Sequence, residues 1–201
     1  MFLCWQYPVL CLNASLIYLV LLEHLNLLFD YLDESYDKLR IYEELKIRKS
    51  IADVMVVLED RLIGIEIKSD SDTYTRLPTQ IKDYNHFFDY NYLAVGSSHA
   101  KHAHEHIPKH WGILSVAIEN DKPYITELRP AKPTPRLQVS YQIKLLWRLE
   151  LNNILNKNNL PKYKQKSKRF VQLKLLERLT PEKLKADMCD ELFERDYTML
   201  Y

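Results

Sequence analysis

The chain has 201 residues, 47% of them hydrophobic and 27% charged, with a formal net charge of +1. A chain of that size buries roughly 70% of its unfolded surface, so one compact domain needs no disulfides to hold a core. The three cysteines (Cys4, Cys11, Cys189) are scattered and none belongs to a Cys-x-x-Cys pair, which excludes a disulfide framework or cysteine zinc site as the organising principle and fits a reducing, cytoplasmic setting.

Pro8 to Phe29 is strongly apolar, densest over Leu16–Leu22. Its uninterrupted core is short of the ~20 residues a membrane span needs, and Glu23 and His24 break it. It has no basic flank and no small-residue cleavage site, so it does not read as a secretory signal. Residues 1–12 read as a leader, or as the product of a start codon placed too far upstream. Residues 14–32 read as a buried or dimer-forming helix continuing to about 34, with membrane association as the alternative. No stable membrane insertion is expected, and a homo-oligomer through this helix is an open partner. Residues 36–46 continue the helical spacing through Leu39, Tyr42 and Leu45.

Then the period changes. Ile51–Leu58 is β-branched and apolar, Glu59-Asp60 is a polar interruption, and Leu62–Lys68 is a second apolar run, so the pair reads as a hairpin. Ser69 to Thr75 is loop-like. Pro78 suits the first turn of a helix through Phe88. A third strand spans Tyr92–Val95, a short helix His99–His106, a fourth strand Ile113–Ile118 and a fifth Tyr124–Leu128. Four of the nine prolines fall between Asp121 and Pro135 and mark a linker. From Val139 the pattern is helical with a break at Asn156–Lys164. Ser167 is a candidate cap, and Thr180-Pro181-Glu182 a helix start.

This order predicts an α/β fold: a central mixed sheet flanked by helices, with a C-terminal helical appendage. The regions are an apolar helical segment (1–35), a core (36–130) and a helical C-terminal region (131–201). Charge is uneven. Residues 1–60 hold ten acidic and five basic side chains, whereas residues 157–185 hold ten basic and two acidic ones. A basic stretch attracts polyanions, although a solvated helical face has the same composition.

With Glu59-Asp60 as the turn, Asp53 falls opposite Glu66, and directly paired residues share a face with Cβ atoms about 5 Å apart. Lys68, two residues beyond Glu66, points to that face as well, while Ile65 and Ile67 point into the core. Two facing carboxylates raise each other's pKa and destabilise the fold unless a cation lies between them. Mg²⁺ suits that place, because it takes oxygen ligands and keeps waters. Lys68 would then orient a water and offset phosphate charge. A surface hairpin with a simple Glu–Lys pair is the ordinary alternative.

Asp53, a twelve-residue gap and Glu66-Ile67-Lys68 resemble the PD-(D/E)xK nuclease superfamily. Gln80-Ile81-Lys82-Asp83-Tyr84 looks like the Gln-x-x-x-Tyr motif of its RecB-type and lambda-exonuclease-type branch, and Glu44 resembles the superfamily's first acidic residue on the preceding helix. The stretch Glu66 to Thr73, with Arg76-Leu77-Pro78 and Gln80, resembles a family of bacterial restriction-endonuclease-like proteins. The resemblance covers roughly residues 40–118, with a weaker match to the helical tail. It implies a restriction-endonuclease-like core and a metal-dependent deoxyribonuclease acting in DNA repair or phage defence, with Mg²⁺ as cofactor and Mn²⁺ as substitute.

By position, it makes Asp53, Glu66 and the Ile67 carbonyl metal ligands, Glu44 an outer or second-metal ligand, and Lys68 the water-orienting group. Gln80 and Tyr84, four apart on one helical face, would reach into the site. Arg76 would contact phosphate and Asp72 order the loop. Relatives often carry an arginine where this chain has Ile51, so one expected contact is in doubt. Lys168 and Arg169 in the basic tail are further candidates for DNA contact. The rival reading is a nuclease fold that binds DNA or a protein partner without cutting. His99, His102, His104, His106 and His110 form a dense cluster, read as a solvated helix in preference to a zinc site.

Overall fold

A computed structural model of the chain describes residue 17, residues 39–119 and residues 122–196. The leader and the N-terminal helix expected over 14–34, with the oligomer it would form, lie outside the described residues except for Ile17. Among the described residues six strands form one sheet in chain order: β1 (Arg40–Ile47), β2 (Ser50–Val57), β3 (Leu62–Lys68), β4 (Tyr90–Gly96), β5 (Gly112–Glu119) and β6 (Lys122–Arg129). β1–β2–β3 is an antiparallel meander, β3–β4 and β4–β5 are parallel, and β5–β6 is antiparallel. The parallel step β3–β4 needs a crossover, and α1 (Leu77–Phe87) supplies it. The short α2 (Ser97–Ala100) and α3 (Ala103–His106) link β4 to β5. α4 (Val139–Gln142), a 3₁₀ turn (Ile143–Leu145), α5 (Arg148–Lys157), α6 (Lys168–Arg178) and α7 (Pro181–Glu194) follow. Ser167 and Thr180 cap α6 and α7 by accepting the amides of Phe170 and Lys183. No helix among the described residues is long and apolar enough to cross a membrane.

The sheet separates two cores. On one face Met55, Val57, Leu62 and Leu93 pack with Leu77, Tyr84 and Phe88 and with Leu151, Val171, Leu175, Met188 and Leu192. Residues 139–194 are therefore a layer of the main core, not an appendage. Arg195 anchors the end of that layer: it is buried, donates to both carboxylate oxygens of Glu150 and lies 4.2 Å from the Trp147 ring. Val54, Val56, Ile65, Ile67, Ala94 and Val116 form the second core with Ile17. Gly64 lets α1 approach closely, since a Cβ there would lie 2.2 Å from the Phe88 ring.

The helical reading of residues 36–46 fails at β1, and the cause is local. Tyr42, Leu45 and Ile47 all face the main core, which a regular strand does not permit. Glu44 has a φ of 49°. This left-handed residue shifts the alternation by one and produces a three-residue spacing that imitates a helix. Glu44 thus sits on an edge strand, not on a helix.

Candidate active site

The site is built on one row of the sheet. β1 and β2 pair through Glu43↔Val54 and Leu45↔Ala52, which puts Glu44 level with Asp53. β2 and β3 pair through Val54↔Ile65, which puts Asp53 level with Glu66, as the hairpin turn requires. At this row the regular pairing stops. The Tyr84 hydroxyl of α1 enters between the strands: it accepts from the Asp53 amide at 3.1 Å and donates to the Ile65 carbonyl at 3.3 Å. With the strands parted, the Asp53 Oδ2 accepts from the Ile67 amide at 2.7 Å. Three acidic residues on adjacent strands thus share the row where the backbone ladder is broken.

Glu66 is 0% exposed. Its Oε1 accepts from both Lys68 Nζ and Gln80 Nε2, while its Oε2 and the Gln80 Oε1 are buried with no hydrogen-bond partner. Burial, and then the Asp53 charge, push the Glu66 carboxyl up to about 7 against the pull of Lys68. Burial also raises the Asp53 carboxyl, opposed by the Ile67 amide and Lys68. Tyr84 is fully buried, and burial with the two carboxylates beside it keeps its hydroxyl neutral. In the loop after β3, Asp72 accepts from the Ser69 amide at 2.8 Å and the Ser69 hydroxyl at 2.6 Å. Burial pushes the Asp72 carboxyl up, but those bonds and the nearby Lys68 and Arg76 outweigh it and hold it below its ordinary value.

A cleft of about 1280 Å³ opens onto this row. Asp53, Glu66, Ile67, Lys68, Glu44, Asp72, Arg76 and Gln80 all line it. Tyr84 lies behind it and supports it. Lys168 and Arg169 do not line it; Lys168 Nζ donates to the Lys144 carbonyl on the helical layer. Ile51 is 55% exposed on the cleft wall. Five lining residues were not anticipated: Glu43, Lys49, Ser50, Thr75 and Thr79. Nor was Asp83, which accepts from the Lys49 amide and the Ser50 hydroxyl and so fastens the β1–β2 turn to α1. The available signal was a carboxylate on the apolar face of α1, three residues after Gln80.

Among the described residues, no group of three or more His, Cys, Asp or Glu side chains is placed to hold a metal ion. Glu44 is exposed at the rim, so the row is not a closed ligand cage. The two unpartnered buried oxygens, beside a second carboxylate, nevertheless suit an oxygen-coordinated divalent cation. The histidines lie elsewhere. His102 pairs with Glu105, His99 bonds the Asp70 carbonyl, and His106 stacks on Tyr74.

The sequence profile of the family described as Bacteriophage P4 protein cII matches residues 22–199, and the chain belongs to that family. No curated protein matches. Among solved structures, the chain is similar to the SPO1766 protein of unknown function from Silicibacter pomeroyi, at 21% identity and a TM-score of 0.41, over 54% of this chain and 70% of that one.

Proposed function

We propose that the protein is a metal-dependent nuclease of the PD-(D/E)xK type with a restriction-endonuclease-like core, hydrolysing DNA phosphodiester bonds. The observation that carries this reading is the pairing of Asp53 with a fully buried, half-satisfied Glu66 at the foot of a cleft. Buried carboxylates are costly, and a site that keeps two of them together has a use for negative charge. Asp53 and Glu66, with the Ile67 carbonyl, would hold Mg²⁺ or Mn²⁺, and Glu44 would serve as an outer ligand. When bound, the cation would supply Lewis acidity and charge neutralisation at the scissile phosphate.

The chain's own groups do the positioning. Lys68 keeps its ammonium on Glu66, where it can orient an attacking water and offset charge on the phosphate. Gln80 donates to the same Glu66 oxygen as Lys68, leaving its own carbonyl oxygen free to accept from a water. Arg76, at the start of α1, faces the cleft as a phosphate contact. The setting proposed for this chemistry is phage defence or DNA repair.

The test is a cleavage panel of single-stranded, double-stranded and branched DNA with and without Mg²⁺ or Mn²⁺. Lys68→Ala is expected to lose about 10²–10³-fold in rate, with an unchanged circular dichroism spectrum. Full cleavage by purified Lys68→Ala protein contradicts the reading. A second reading, a fold that holds DNA without cutting, is favoured by one observation: Glu66 Oε1 is already taken by Lys68 and Gln80. Tight, salt-sensitive binding with no cleavage of any substrate would select it.

A further inference from the structure

The β1–β2 turn sends two neighbouring cations in different directions. Lys49 lines the cleft. Arg48, with a φ of 46°, turns away and sets its guanidinium 5.8 Å from the centroid of the Tyr141 ring. His86, in the last turn of α1, stacks on the same ring at 4.3 Å with an interplanar angle of 23°. The Lys144 ammonium lies 4.2 Å from the ring centroid. Tyr141 and His86 are half-buried, whereas Arg48 and Lys144 are exposed. Burial, Arg48 and Lys144 push the His86 imidazole down, against the pull of Asp83. Among the described residues, no carboxylate forms an ion pair with Lys144 or Lys82, and Asp83 pairs with Arg48 at 3.7 Å.

This platform is continuous with the cleft. Thr79 lines the cleft, and Thr79, Lys82 and His86 are spaced three and four apart, so they form one stripe along α1. At the helical rise that stripe is about 10 Å long. A positive track leading to an aromatic stack is what binds single strands, because every unpaired base offers a face to stack and its phosphates need cations. A duplex keeps its bases stacked internally and cannot use the ring in this way. Charge alone would suit either substrate; the half-exposed ring pair favours the single strand.

We propose that a single nucleic-acid strand leaves the cleft along the exposed stripe of α1 and stacks a base on the His86–Tyr141 pair in place of the Lys144 ammonium, which moves with Lys82 and Arg48 onto its phosphates. The proposal rests on the nuclease reading for the role of the cleft, but its test does not require cleavage.

The test is the affinity of the full-length protein for fluorescent oligothymidylate, measured in EDTA by anisotropy over a range of salt. Tyr141→Ala is expected to weaken binding roughly 5- to 100-fold by loss of a stacked base, while Tyr141→Phe keeps the ring and the affinity. Lys144→Gln, on an exposed side chain that leaves the packing intact, should lower the magnitude of the salt slope by about 0.7. Unchanged affinity in both Tyr141→Ala and Lys144→Gln overturns the proposal, as does a loss confined to blunt duplex. If these variants lose single-strand binding but the wild-type protein cuts no DNA with Mg²⁺ or Mn²⁺, the surface stands and the nuclease reading falls. If Lys68→Ala stops cleavage while Tyr141→Ala and Lys144→Gln both bind like wild type, the reverse holds.

Discussion

Glu66 shows how one buried side chain couples stability to pH. Its carboxyl sits near 7 in the folded chain against an ordinary 4.5, because burial and Asp53 disfavour the charge. The folded state therefore holds its proton more tightly than the unfolded state does. Between these two values the folded chain binds more protons, so stability falls as pH rises through that window. The loss is on the order of 3 kcal/mol when complete. Asp53, also raised, contributes with the same sign. Metal-free protein should thus melt lower at pH 8 than at pH 5.5 on account of this pair. Glu66→Gln removes the charge at nearly constant shape, so it should raise the pH 8 melting temperature in EDTA and flatten its pH dependence, while abolishing cleavage. Added Mg²⁺ should stabilise the wild type and leave Glu66→Gln nearly unmoved. A variant that melts below the wild type at pH 8 would contradict this account.

At the scale of elements, α1 does most of the arranging. Gln80 holds β3 through Glu66, Asp83 holds the β1–β2 turn, and Tyr84 stands between β2 and β3. Tyr84→Phe would leave the half-buried Asp53 amide and the buried Ile65 carbonyl without their shared partner, at a cost of about 1–3 kcal/mol. Urea unfolding should show a lower midpoint with an unchanged slope, and cleavage should fall even though Tyr84 does not line the cleft. A midpoint equal to that of the wild type would mean the strands close without it. Much of this region was legible. Two apolar runs either side of a short polar turn at Glu59-Asp60 set the β2–β3 register, and the caps at Ser167 and Thr180 follow from local chemistry. β1 was not legible, because the left-handed Glu44 gives a strand the spacing of a helix. For Tyr84, sequence indicates the helical face but not the depth, so a group expected to reach into the site stands behind it. Asp83 was missed because its partners, Lys49 and Ser50, come from a turn that looks like a helix end.

At the scale of the molecule, the helical layer and the sheet share one core. The division at residue 130 is a change of composition, and the packing runs across it. Leu192→Ala, in α7 at the far end of that core, should cost about 2–5 kcal/mol and lower the stability of the whole chain in one transition. A chain truncated at 130 would leave Met55, Val57, Leu62 and Phe87 without their cover. It should therefore be insoluble or bind a hydrophobic dye, and a folded, cooperative truncated protein would show that the layer is dispensable.

The parted strands carry one more consequence. The Asp53 amide is tied to a helix side chain and not to the strand beside it, so a hairpin that frays from its turn does not release it. Its exchange with solvent deuterium is instead bound to the lifting of α1 from the sheet, a motion that would also carry Gln80 away from Glu66. One backbone hydrogen in the middle of β2 thus reports, in the resting protein, how often the whole acidic row comes apart.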